Sequence, residues 1–241
     1  MKVKEYVISK IKKIPDGVVF TYEDVIQNAS TKEAVIKNLN RLVASGYLSK
    51  LSKGRFYKPK VTPFGNLKPS EYQIAKDLLE KKGKIIGYLT GLAIYNKLAL
   101  TTQIGNIIQV GRKDIKSTIQ RGNFKISFIK QKNEITKRNI PLLQILDSIR
   151  YFKEIPDSKP VFLCKRFLSL ISNLSPKDKT LLVCLTLNYS PATRALIGAL
   201  LDELGYNELS KTLLSSLNPI TSYKFGISKD SLSTIEKWNI K

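Results

Sequence analysis

Histidine is absent from the 241 residues, and cysteine occurs only twice, tryptophan and methionine once each. Without histidine there is no imidazole acid or base, no Ser-His or Cys-His triad, and no histidine-containing zinc site. Two thiols cannot build a zinc ribbon or an iron–sulfur cluster, nor a disulfide framework for a chain of this length. Cys164 and Cys184 both sit in apolar runs, which predicts two buried, inert thiols. No stretch approaches the ~18 consecutive apolar residues of a membrane span, and the first residues lack an apolar signal core, so a cytoplasmic location is expected. Acids are scarce as well: 19 Asp and Glu stand against 41 Lys and Arg, a net charge of +22. Metal-dependent phosphoryl chemistry needs convergent carboxylates, and the nearest motif, Asp114-Ile-Lys116, lacks a suitable upstream acid. No enzyme, metal or cofactor is expected.

What is present is a folded chain, 42% apolar and 25% charged, whose cationic surplus suits a polyanion such as nucleic acid, or an acidic partner. The basic excess per residue is greatest in the first sixty residues and weakest in the last eighty. Residues 58–69 are rich in Pro and Gly and predict a linker over 61–69, dividing a domain at 1–60 from one at 70–241. A second break, Ile155-Pro-Asp-Ser-Lys-Pro, separates a mixed α/β part (70–155) from a mainly helical part (156–241).

The first sixty residues follow a recognisable plan. Val3, Val7, Ile8 and Ile11 have helical spacing, and Pro15-Asp16-Gly17 ends that helix. Thr21 reads as the N-cap of a second helix beginning at Tyr22. A third helix starts at Ser30 or Thr31 and stops at Gly46, with Val35, Leu39, Leu42 and Val43 inward and Ser30, Glu33, Ala34, Lys37, Asn38 and Arg41 on the opposite face. Tyr47–Leu51, the turn Ser52-Lys53-Gly54, and Arg55–Tyr57 read as a hairpin. Three helices and a basic hairpin make a winged helix-turn-helix, and the fold class expected is α+β.

The physics of that plan suits a DNA duplex, whose major groove admits one helix. Lys37 and Arg41 lie one turn apart and point either to phosphates or to guanine edges; Asn38 can pair with adenine; Lys50, Lys53 and Arg55 offer the wing to a flanking phosphate or the minor groove. The candidate DNA-contacting set is Thr21, Tyr22, Ser30, Thr31, Lys32, Lys37, Asn38, Arg41, Lys50, Lys53 and Arg55. For Arg41 an ion pair with Glu23 or Asp24 is the competing expectation. For the whole module the competing function is a basic interaction surface that binds an acidic protein, with DNA incidental.

The segments Ile11-Lys-Lys-Ile-Pro-Asp-Gly-Val-Val-Phe-Thr and Ala34-Val-Ile-Lys-Asn-Leu-Asn-Arg-Leu-Val-Ala-Ser-Gly-Tyr-Leu-Ser-Lys-Leu-Ser-Lys-Gly-Arg-Phe-Tyr-Lys-Pro resemble the N-terminal region of AbiEi-like antitoxins of type IV toxin–antitoxin systems. Gly87-Tyr-Leu-Thr-Gly-Leu-Ala-Ile-Tyr-Asn-Lys-Leu-Ala-Leu-Thr-Thr-Gln, Arg194-Ala-Leu-Ile-Gly-Ala-Leu-Leu and Leu217-Asn-Pro-Ile-Thr-Ser-Tyr-Lys-Phe-Gly-Ile are similar to later stretches of that family. The chain departs from it at Arg55-Phe56, where members often carry Leu or Ile. The resemblance implies an autorepressor whose winged helix binds operator DNA, expected as inverted repeats, as a monomer or dimer. It also implies an antitoxin-like second domain that counteracts a nucleotidyltransferase-like toxin in abortive phage infection.

The rest of the chain gives weaker signals. A helix is predicted from Pro69 to about Lys82, and a short one from Tyr88, where Gly87 and Gly91 read as a close-packing pair. Residues 104–129 alternate like strands, and Arg112, Lys113, Lys116, Arg121, Lys125, Lys130 and Lys132 decorate these strands and turns, as a second phosphate-contacting surface, a face for an acidic partner, or edge-protecting charges. Helices are predicted over 141–152 and near 160–173, 176–188 and 191–204, the last two opened by Ser-Pro. A closing loop with a short strand is read over 213–227. Arg194 reads as an ion-pair partner of Asp202 or Glu203.

Overall fold

The computed structural model describes residues 3–26 and 32–241. The fold is α+β, and the chain forms two compact units: Met1–Asp77 with Ile119–Ile126, and Leu78–Thr118 with Ser127–Lys241.

In the first unit α1 (Val3–Lys12) buries Val7 and Ile11, four residues apart on one helical face. Pro15-Asp16-Gly17 turns the chain into β1 (Val19–Thr21), Gly17 adopting φ +76° and donating its N–H to the Lys58 carbonyl. The expected second helix is a single 3-10 turn over Tyr22–Asp24. Thr21 caps it: the Glu23 N–H donates to Thr21 Oγ1, and the Thr21 N–H donates to Asp24 Oδ2 at 2.7 Å. α2 (Lys32–Ala44) buries Val35 and Leu39. Gly46, at φ +76°, takes the left-handed backbone that follows a helix end. β2 (Ser49–Ser52) and β3 (Arg55–Tyr57) form the wing, and the sheet runs β1-β3-β2 with Phe20 opposite Phe56. Val7, Ile11, Phe20, Val25, Val35, Leu39, Leu48 and Phe56 make one core beneath α1, α2 and the wing.

Residues 61–69, expected as a linker, are ordered as a hairpin of β4 (Lys60–Thr62) and β5 (Gly65–Leu67). Pro63 and Phe64 form its tip, where a proline needs no ladder hydrogen bond. α3 (Glu71–Leu79) follows, stopping short of Lys82 because Lys82 and Gly83, both at positive φ, turn the chain between the two-residue strands β6 (Glu80–Lys81) and β7 (Lys84–Ile85).

In the second unit Gly87–Thr90 is strand β8, not the start of a helix; the helix, α4, is Leu92–Lys97. The glycines mark close approaches of another kind. A Cβ on Gly87 would meet Arg112 Cγ and the Leu78 carbonyl, each at 2.9 Å, and Gly91 sits at φ +71°. β8 pairs antiparallel with β9 (Ile107–Arg112), placing Tyr88 over Gly111. β10 (Ile119–Arg121) and the first residues of β11 (Phe124–Lys130) form a hairpin that belongs to the first unit. The helices α5 (Ile140–Arg150), α6 (Pro160–Ser172), α7 (Pro176–Thr186), α8 (Pro191–Glu203) and α9 (Asn207–Leu214) complete the second unit. Ser175 and Ser190 accept from the N–H groups of Asp178 and Thr193, the caps that Ser-Pro predicts. α8 is buried along most of its length, and Trp238 lies against Gly198, where a methyl group would overlap the indole. α9 falls partly where a loop was expected.

Arg194 donates to the Ser216 carbonyl at 2.9 Å and pairs with no acid among the described residues; Asp202 instead takes Lys237 and the Trp238 indole, and Glu203 the hydroxyl of Ser233. Cys164 is buried, its thiol pushed up to about 12 mainly by burial, whereas Cys184 is exposed.

The core of the second unit is not wholly apolar. The Asp147 carboxylate is fully buried and accepts from Tyr88 Oη at 2.6 Å and Tyr189 Oη at 2.9 Å. Gln131 Nε2 donates to both phenol oxygens at 2.8 Å. Burial pushes the Asp147 carboxyl up to about 6, the two phenol hydrogen bonds opposing it; the phenols themselves are raised, mainly by burial.

Candidate nucleic-acid interface

α2 carries its apolar stripe inward, which leaves one outward strip of Glu33, Ile36, Lys37, Asn40, Arg41 and Ala44 lining a shallow open groove. Lys37, Asn40 and Arg41 are exposed there, and Lys32 is exposed at the helix start. Among the described residues no ion pair involves Lys37 or Arg41, so the competing expectation for Arg41, a pair with Glu23 or Asp24, is not found. Ser30 and Thr31 lie outside the described residues.

Asn38 is half-buried and donates its amide to the Ala34 carbonyl at 2.9 Å, a bond back onto its own helix. Asn40, which the sequence reading passed over, shares the strip with Lys37 and Arg41. Its signal was available as the i+3 and i−1 neighbour of those two cations. Thr21 is occupied in capping, and Tyr22 donates to Glu23 Oε1 at 3.3 Å while the Lys32 ammonium lies 5.0 Å from its ring centroid.

The wing divides into two kinds of residue. Lys50 and Lys53 are exposed, Lys53 at a tip whose Gly54 adopts φ +74°. Arg55 is held inside the unit: its Nη2 meets Asp77 Oδ2 at 2.8 Å. Asp77 also takes Arg121, which is 3% exposed, through contacts of 2.5 and 2.8 Å. Burial works to raise the Asp77 carboxyl, but the hydrogen bonds and charges of Arg121 and Arg55 outweigh it and hold it below the ordinary value. Arg55 is thus tied to a carboxylate while its side chain stays 30% exposed, whereas Arg121 and Arg112, which donates to the Leu78 carbonyl, are buried and are not surface cations. Lys113, Lys116, Lys125 and Lys130 are exposed.

Among the described residues no group of three or more Cys, Asp or Glu side chains is placed to hold a metal, and no helix is long and apolar enough to cross a membrane.

A three-stranded antiparallel sheet, a capped turn and an exposed cationic helix define a winged-helix protein of the α+β class. The chain belongs to the family of unknown function DUF6088, whose model matches residues 6–159. The fold is similar to that of the RV2827C protein from Mycobacterium tuberculosis, with a TM-score of 0.60 over 92% of this chain and 84% of that one, at 13% identity. No curated protein matches the chain.

Proposed function

We propose that the chain is a sequence-specific, double-stranded DNA-binding transcriptional repressor that reads its operator with α2. The observation that carries this reading is the exposed strip of Lys37, Asn40 and Arg41, with no ion pair to either cation among the described residues, on the third helix of a winged helix. A bare cation pair one turn apart on a groove-sized helix supplies bidentate or phosphate contacts, and an exposed asparagine between them supplies an adenine reader. Lys50 and Lys53 on the wing add phosphate contacts. Arg55, tied to Asp77, does not. The resemblance to AbiEi-like antitoxins extends the proposal to autorepression of an operon and neutralisation of a nucleotidyltransferase-like toxin, with support from sequence likeness alone.

The test is a mobility-shift titration on the DNA upstream of the gene. Replacing Lys37 and Arg41 together by Ala weakens binding by about 2–5 kcal/mol. Equal affinity of the double variant and the parent chain defeats the proposal. Retained affinity for an acidic protein partner, with none for DNA in either chain, selects the interaction-module reading instead.

A further inference from the structure

The second unit holds a cavity of about 490 Å³ at the end of β11, the end of α5 and the turn between α7 and α8. Its wall includes Lys130, Lys132, Arg150 and Arg194, and no Asp or Glu. Among the described residues none of these four cations forms an ion pair. Like charges turned towards one hollow repel one another, the more so where protein walls displace water. An anion in the hollow reverses that repulsion.

Hydrogen-bond accounting shows which wall groups are left for such a ligand. Gln131 and Tyr189 face the cavity but are spent: Gln131 Nε2 donates to both phenols, Gln131 Oε1 accepts from the Asn133 N–H, and Tyr189 Oη donates to Asp147. They form a fixed polar floor. The arginines are held in place by carbonyl and ring contacts, and among the described residues no carboxylate lies within ion-pair distance of either. Arg194 is anchored by Nη1 on the Ser216 carbonyl, and its buried Nε has no partner. Arg150 donates from Nη1 to the Lys130 carbonyl at 3.4 Å and lies over the Tyr151 ring at 5.2 Å, which leaves its other guanidinium nitrogens for a ligand. Lys130 and Lys132 are exposed, and their long four-carbon stems can reach a ligand in the hollow. Ser190 and Pro191 bring the start of α8 to the same wall, with the positive end of its dipole.

We infer that this cavity binds a small phosphomonoester of mononucleotide size, with the phosphate among Lys130, Lys132, Arg150 and Arg194. A phosphomonoester concentrates about two negative charges and three acceptor oxygens in one compact group, which suits four donors better than a single carboxylate does. The volume exceeds that of a bare oxyanion and lies in the range of small-molecule sites, and Leu187 and Pro191 give the non-phosphate part an apolar wall. The inference is independent of DNA binding by α2.

The test is calorimetric titration of the full chain with the 5′-monophosphates of adenosine, guanosine, cytidine and uridine, with inorganic phosphate, and with the four unphosphorylated nucleosides. At least one monophosphate binds, phosphate binds more weakly, and the nucleosides do not bind. Lys132→Ala with Arg150→Ala, both exposed in the parent, weakens the monophosphate by at least about tenfold, as loss of two charge-assisted contacts requires. Lys84→Ala with Lys97→Ala removes two exposed charges of the same unit outside the cavity and leaves affinity within about twofold. Binding by none of the monophosphates overturns the inference, as does equal weakening by the two double variants. A Lys132/Arg150 variant that loses affinity only for duplex DNA also overturns it, assigning the cavity to backbone phosphates.

Discussion

Asp147 shows how a single buried carboxyl sets a pH response. Its pKa stands near 3.8 in the unfolded chain and at about 6 in the native one. The native state therefore holds the proton more tightly, and stability falls as the pH rises from about 4 to about 6, by about 3 kcal/mol in total. This is opposite in sign to a salt-bridged carboxylate. Asp147→Asn removes the titration, so the stability difference between parent and variant changes across that window. Urea unfolding at pH 4 and pH 7 checks it, and parallel pH profiles for the two chains would refute it. The same scale explains the two asparagines of α2. Asn38 and Asn40 are alike in the sequence; what separates them is a rotamer that turns Asn38 onto Ala34.

At the scale of elements, the wing, α3 and the β10–β11 hairpin are joined by one carboxylate. Asp77 pairs with Arg55 of β3 and Arg121 of β10. Asp77→Asn leaves the buried Arg121 guanidinium without a counter-charge. Because the Asp77 side chain is 49% exposed, water compensates in part, and the expected loss is about 1–3 kcal/mol at neutral pH. The contribution is present above the ordinary aspartate pKa and is lost as the pH falls through the lowered native value. Denaturation followed by circular dichroism reads this, and an unchanged midpoint at pH 7 argues against the role. Neither arginine partner of Asp77 was legible beforehand, since 44 residues separate Asp77 from Arg121 and a contact that distant leaves no local pattern. Elements with local chemistry were legible. The Ser-Pro caps gave α7 and α8, and the apolar stripe with Gly46 gave α2. Gly87–Thr90 was misread because two glycines at helical spacing mark a close approach in either secondary structure, and only Tyr88 facing Gly111 decides for the strand. The second helix was overread because the Thr21–Asp24 capping box marks a helix start and says nothing of its length, which here is one 3-10 turn.

For the whole molecule, a charge of +22 predicts duplex binding that weakens steeply with salt. In a plot of log affinity against log salt concentration, the Lys37/Arg41 double variant has a slope shallower by up to about 2 than the parent, since each lost phosphate contact removes about 0.9. Fluorescence anisotropy across a salt series measures it, and identical slopes would show that neither side chain meets the backbone. The chain path has its own consequence. The first unit is built from residues 1–77 and 119–126. A ribosome must therefore deliver residue 121 before Arg121 reaches Asp77, and residue 126 before the first unit is whole. At about 5–20 residues per second, residues 78–126 take several seconds to follow residue 77, so the nascent first unit waits that long for its last strands. A fragment cut at residue 60 keeps the cationic helix but leaves Arg55 without Asp77.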